Sequence, residues 1–316
     1  MFAITIHNNL LKLVLPEQNL FREIPLDSLV VNDGVIVDPK ALSLKIREVV
    51  ERPSITDREV VVGLNEERVY LKEVFVSATE RDIEPLVVSK LKELAPSGKQ
   101  EFIYTYKLIG RDERIKERGS GGREPRSDVV QVAAVDKKLL QSYVKTLALS
   151  GLDLVGLVPL SLSLAKSAPD ADRPNLIICL EDGKLVYILV SIYGGVSFSA
   201  TNTLPSTLKD SKSAFGGWTN EVLEFSGERV AGRDITKIFL CGQGQGLMKR
   251  YLEEMGLVGE SLPIVPDRNE ASDAWVKAIS LTNFESGDLD LLSPTQGGAS
   301  KLDTVRTFVK KIAGRP

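Results

Sequence analysis

The sequence predicts an α/β protein of two similarly built halves, with a small α+β subdomain inserted in the first. Three observations predict this. Each half opens on three strand-like runs in a meander, then a helix, then a buried strand that ends in a turn. A strand–helix–strand unit interrupts the first half alone, over about residues 69–150. The second half carries the run KIFLCGQGQGLMKRYLEEMG (Lys237–Gly256), which reads as strand, glycine loop and helix. The two halves barely match residue by residue, so the repeat is one of architecture.

In the first half, Phe2–Ile6, Leu10–Leu15 and Asn19–Pro25 form the meander, with Asn8–Asn9 and Glu17–Gln18 at its turns. Val35–Val37 leads to Asp38–Pro39, an N-cap followed by proline at the first helical position. The helix behind it carries Leu42, Leu44, Ile46, Val49 and Val50, and Val60–Val62 is a buried strand. The inserted unit follows: strand Val69–Val76, helix Glu80–Leu94, and strands Glu101–Ile109 and Val129–Ala134. Between the last two, RDERIKERGSGGREPRS (Arg111–Ser127) is charged and almost without apolar residues, as in a solvated loop. Helix Lys137–Leu149, strand Leu152–Val158 and a short helix Leu160–Lys166 complete the half.

Asp170–Pro174 reads as a linker. Beyond it, Leu176–Leu180, Val186–Ser191 and Val196–Ala200 repeat the meander, with turns at Glu181–Asp182–Gly183 and Tyr193–Gly194–Gly195. A helix is expected over Trp218–Phe225 and a strand over Lys237–Cys241. Gly242, Gly244 and Gly246 alternate beyond that strand. Leu247, Met248, Tyr251, Leu252 and Met255 fall at helical spacing, and Gly256 suits a C-terminal cap. Such a loop either binds an anion at the helix start or makes a tight connection only. Trp275–Ser280 reads as the last helix. The boundaries expected are 1–168 for the first domain, 175–293 for the second and 294–316 for a basic tail.

Composition bounds the function. The 316 residues suit two domains, and a net charge of −3 gives no global reason to expect nucleic-acid binding. The two cysteines, Cys179 and Cys241, lie far apart in apolar runs, which argues for buried structural thiols in a reducing compartment and against a disulfide framework or zinc site. No basic-then-apolar start suggests a signal peptide. Leu147–Ala165 is interrupted by Asp153, Pro159 and serines, so no membrane span is expected.

Several stretches carry a resemblance. Val35–Val50 (VIVDPKALSLKIREVV), Val60–Val76 (VVVGLNEERVYLKEVFV) and above all Val132–Ser167 (VAAVDKKLLQSYVKTLALSGLDLVGLVPLSLSLAKS) resemble, in this order, the PilM family of type IV pilus assembly proteins. The cytoplasmic domain of the secretion protein GspL is the close alternative, and FtsA a more distant relative. The resemblance implies duplicated actin-like (ribonuclease H-like) domains with the inserted subdomain in the first half. It also implies adenosine-contacting glycines at Gly242, Gly244 and Gly246.

Actin-like enzymes set an acidic residue in each of two phosphate turns. The carboxylates hold Mg²⁺ and orient the attacking water. Here Thr5-Ile6-His7-Asn8-Asn9-Leu10-Leu11-Lys12 stands in the first place, with Thr5 for the acid, His7 for the glycine and Lys12 retained. Glu181-Asp182-Gly183-Lys184 stands in the second and retains an acid and a glycine, although a plain hairpin turn accounts for it as well. His7 is either a replacement base or an ordinary strand-end histidine. Asn202–Trp218 is expected to be short where relatives have a longer helical segment. The reading is a remnant site for ATP or ADP with Mg²⁺ at Asn8, Asn9, Lys12, Glu181, Gly183, Lys184, Gly242, Gly244 and Gly246, with no catalytic residue and little or no hydrolysis.

By the same resemblance the chain is a cytoplasmic scaffold at the inner face of the cytoplasmic membrane. Its partner is the N-terminal peptide of a PilN-like bitopic membrane protein, and self-association is a further expectation. Groove walls are expected in Val69–Val76, Val129–Ala134 and Glu80–Leu94, unless their apolar residues all face the core. The segment SKLDTVRTFVKKIAGRP (Ser300–Pro316) reads as a disordered basic tail, a short amphipathic helix or the stub of a longer chain. An ATP-binding switch or filament former of the same fold is the alternative function.

Overall fold

Near-continuous apolar runs and the placement of turns build the first sheet. In the computed structural model, β1 (Phe2–His7) is buried throughout, as suits a strand covered on both faces. It pairs antiparallel with β2 (Leu10–Leu15), and β2 pairs antiparallel with β3 (Leu20–Pro25), with Asn19 in a left-handed conformation at their turn. A small hairpin of β4 (Val31–Asn32) and β5 (Val35–Ile36) leads into α1 (Pro39–Val50). The Asp38 carboxylate accepts from the Lys40 and Ala41 amides and caps that helix as expected. β6 (Glu59–Leu64) then runs parallel to β1.

The structure describes residues 1–7, 9–32, 34–51, 55–77, 83–94, 101–112, 127–169, 173–229, 235, 237–264, 275–285 and 288–292. Asn8, residues 113–126 of the charged stretch, 170–172 of the linker and the whole tail from 293 lie outside them. So do residues 80–82 of the expected helix.

The inserted subdomain is β7 (Val69–Ser77), α2 (Glu84–Leu94), β8 (Phe102–Asp112) and β9 (Ser127–Asp136), with β9 central in the order β7-β9-β8. α3 (Lys137–Leu149) follows, capped by Asp136, which accepts from the Lys138 and Leu139 amides. At its other end Gly151 takes φ 72°. The Gly151 amide reaches Ala148 O and the Leu152 amide reaches Leu147 O, a Schellman closure. β10 (Asp153–Pro159) joins β6 in parallel, giving the order β10-β6-β1-β2-β3.

After α4 (Leu160–Lys166), the second half repeats this plan. β11 (Asn175–Glu181), β12 (Lys184–Val190) and β13 (Val196–Thr203) form the meander. α5 (Leu208–Arg229) leads to β14 (Lys237–Gly242), parallel to β11. α6 (Gln245–Glu254) leads to β15 (Gly259–Ser261), parallel to β14. The order β13-β12-β11-β14-β15 matches the first sheet strand for strand and direction for direction. α6 also closes as a Schellman motif, with the Gly256 amide on Glu253 O and the Leu257 amide on Leu252 O. α7 (Val276–Ser280) ends the half. Among the described residues no helix is long and apolar enough to cross a membrane.

One helix differs from expectation. α5 begins at Leu208, not at Trp218, so helix already covers most of Asn202–Trp218. Gly216 and Gly217 dilute the helical signal there. Two contacts override them. Thr207 Oγ1 accepts from the Asp210 amide at the start, and Phe215 and Val222 bury against Leu176, Ile178, Tyr187 and Leu252. The Tyr187 hydroxyl lies 3.1 Å from Thr219 Oγ1 and ties α5 to β12.

Contacts divide the chain into Met1–Pro159 with Leu281–Pro316, and Leu160–Ser280. α4 therefore belongs to the second unit. The first unit regains the chain at Leu281: the Leu291 amide donates to Leu157 O, and Asp290 Oδ1 accepts from the Leu157 amide. These bonds occupy backbone groups on the edge strand β10, which would otherwise be open to further pairing.

Candidate functional site

In open sheets of this type, ligands gather at the carboxyl ends of the parallel strands. In the first unit that end holds the β1–β2 hairpin. Thr5 and Lys12 are opposite one another across it, and Lys12 is also opposite Glu23 of β3. Thr5 and His7 are buried, and the whole Lys12 side chain is 1% exposed. His7 and Lys12 are both engaged within the fold, and Asn9 is exposed at the turn. Asn65 was not foreseen. It follows β6, donates from Nδ2 to Ile6 O at 2.8 Å, and so supports the end of β1 beside the hairpin.

The corresponding end of the second unit brings together β11, β12 and the loop after β14. Asp182 at φ 51° and Gly183 at φ 75° make a two-residue turn of the type I′ kind, which an Asp-Gly pair favours for its backbone alone. Glu181 and Lys184 are opposite at its base. The Glu181 side chain is buried, and its Oε2 lies 3.9 Å from Nζ of Lys277, itself buried on α7. Lys277 carried no signal in the sequence beyond its place on a short helix.

The three glycines have different causes. Gly242 takes φ 84°, and a β-carbon there would stand 2.1 Å from the Leu180 carbonyl oxygen. The next amide, Gln243, donates to that same oxygen at 2.7 Å. Gly244 takes φ 73° as the N-cap of α6 and touches the Leu180 side chain. Gly246 lies in the first turn of α6 with nothing within 4 Å of its β position. A close backbone approach with positive φ thus explains Gly242, positive φ explains Gly244, and the third is left open.

Cys179 and Cys241 are register partners on the parallel strands β11 and β14, both free and buried. Burial, and then a hydrogen bond with the Cys179 thiol, push the Cys241 thiol well above the ordinary range.

No protein-family model matches the chain, and no curated relative matches it in sequence. Solved structures do match. A structure described as the PilM–PilN type IV pilus biogenesis complex is similar at 18% identity and a TM-score of 0.64, over 89% of this chain and 96% of that one. The cytoplasmic domain of EpsL, an inner-membrane component of the type II secretion system of Vibrio cholerae, is similar at 14% identity and a TM-score of 0.50, over 93% of this chain and 97% of that one. The fold is actin-like. It has the duplicated domains and the inserted subdomain that the resemblance implied.

The residues present do not fit Mg²⁺. That ion needs near-octahedral oxygen ligands, commonly one or two carboxylates beside substrate phosphates. The first hairpin offers Thr5 where the resemblance implies an acid, and the Glu181 carboxylate of the second faces an internal ammonium. Among the described residues no three His, Cys, Asp or Glu side chains converge to hold a metal.

The inserted sheet has two different faces. Val74, Val76, Val130, Val132 and Ala134 pack on Val87 and Leu91 of α2, so these apolar residues form a core. The opposite face carries Glu73, Gln131 and Lys107 in one row across the three strands. The next row holds Phe75, Val129 and Gly110, where β8 has a bulge. Phe75 is 54% exposed.

Proposed function

We propose that this chain is an actin-like scaffold of a type IV pilus, or related type II secretion, inner-membrane platform. It binds the cytoplasmic N-terminal peptide of a PilN-like bitopic membrane protein, working at the inner face of the membrane through that partner. The observation that carries the reading is the likeness in fold to the PilM–PilN complex along nearly the full length of both chains. Phe75 supports it locally: an exposed aromatic on the edge strand β7 suits an extended apolar peptide that adds backbone hydrogen bonds to that edge.

On this reading the nucleotide site is a remnant. Asn8, Asn9, Lys12, Glu181, Gly183, Lys184, Gly242, Gly244 and Gly246 hold its place, without the carboxylate pair that would bind metal and orient water. ATP hydrolysis is therefore little or none. One observation favours the second reading, an ATP-binding switch or filament former: Gly246 has no packing reason to be glycine, as if something else approached it.

The test is titration of the full chain with a synthetic peptide of the partner's cytoplasmic N-terminus. Binding that weakens at least about tenfold with Phe75→Asp supports the scaffold reading. Absence of binding to the unaltered chain contradicts it.

A further inference from the structure

The pair Glu181–Lys277 asks for a reason. A buried carboxylate opposes folding unless another group balances its charge, and so does a buried ammonium. Both side chains are 3% exposed, and they lie 3.9 Å apart, within Coulombic reach and beyond a direct hydrogen bond. Lys277 is firmly placed. The Ser280 hydroxyl donates to the Lys277 carbonyl at 2.8 Å and lies 2.7 Å from the Ser163 hydroxyl of α4. Glu181 ends β11, two residues beyond Cys179, and its charge and that of Lys277 are both felt at the Cys241 thiol on β14. Among the described residues no three His, Cys, Asp or Glu side chains converge there to hold a metal.

We propose that Lys277 is a resident cation. Its ammonium balances Glu181 in the place where a divalent metal would balance the second turn of a metal-loaded site. The second turn is accordingly closed to Mg²⁺ and Mn²⁺, and a phosphate reaching the Gly242–Gly246 loop is met by backbone amides without metal. The inference deepens the remnant-site reading above and rests on it. One buried lysine thereby carries the charge that a divalent metal would supply in a metal-loaded site.

The experiment uses the full chain with neither nucleotide nor peptide, so failure of the partner reading does not touch it. Free Mn²⁺ is followed by electron paramagnetic resonance during titration with Mn²⁺ alone. The expected result is the same free-Mn²⁺ signal for wild type and Glu181→Gln up to millimolar metal. In parallel, thermal melting is measured for wild type, Lys277→Met, Glu181→Gln and the double variant. Lys277→Met is expected to lower the melting temperature by roughly 10 °C, with the double variant losing clearly less than the sum of the singles. Mn²⁺ binding by wild type that Glu181→Gln abolishes would overturn the proposal, as would additive single effects. If Lys277→Met does not fold, the Mn²⁺ comparison decides alone.

Discussion

Gly242 lies against Leu180 so closely that a β-carbon would stand 2.1 Å from the carbonyl oxygen, where real contacts of that kind do not occur. The contact joins the exit of β14 to the end of β11 and thereby shapes the loop that the resemblance assigns to adenosine. Gly242→Ala should destabilise the protein by about 3 kcal/mol or more, through both the clash and the positive φ. Gly246→Ala, on an open helical position, should be neutral or stabilising by about 0.5–1 kcal/mol. Urea unfolding of the two variants checks both signs.

Gly156 and Phe284 form a second such contact in the first unit. A β-carbon at Gly156 would come within 2.9 Å of the Phe284 ring, beside the bulge of β10. Phe284 belongs to the segment that returns at Leu281. Gly156→Ala should therefore cost about 1–3 kcal/mol by overpacking. Replacing Phe284 by Leu in the same chain should recover part of the loss, because the smaller side chain leaves room. Melting curves of the single and double variants measure this.

The Cys241 thiol gives an alkaline signature. Burial first, and the Cys179 hydrogen bond second, raise its folded pKa above the unfolded value. The folded state then binds more protons than the unfolded state once pH passes the unfolded thiol value of about 8.5. Its stabilising contribution is present below that pH and declines above it. Cys241→Ala should flatten the loss of stability between about pH 8.5 and 10. In the native chain both thiols should react with an aromatic disulfide reagent only as fast as the protein opens.

Much of the architecture was legible in the residues. Lys137–Leu149 and Leu160–Lys166 read from the sequence to their observed bounds, and Asp38 and Gly256 cap or close helices by chemistry that is local in the chain. Elements whose cause is distant were not legible. β15 has three residues, mostly exposed, and exists through its pairing with β14. The start of α5 depends on the Thr207 cap and on burial of Phe215, against two adjacent glycines. At the candidate site, the turn at Asp182–Gly183 was readable. The burial of Glu181 against Lys277 and the support of β1 by Asn65 were not, because each joins segments far apart in sequence. The inserted strands carry apolar residues on both faces, so only the observed register separates the core residues Val74 and Val130 from the exposed Phe75.

The central claim is a scaffold whose grip on its partner does not depend on nucleotide. Isothermal titration of the full chain with the partner's N-terminal peptide, in the presence and absence of Mg-ATP, tests it most directly. The account predicts measurable peptide binding, with affinities that agree to within about twofold in the two conditions, as expected when nucleotide has no differential affinity for the two states. Tight ATP binding that shifts peptide affinity by about tenfold or more would contradict it.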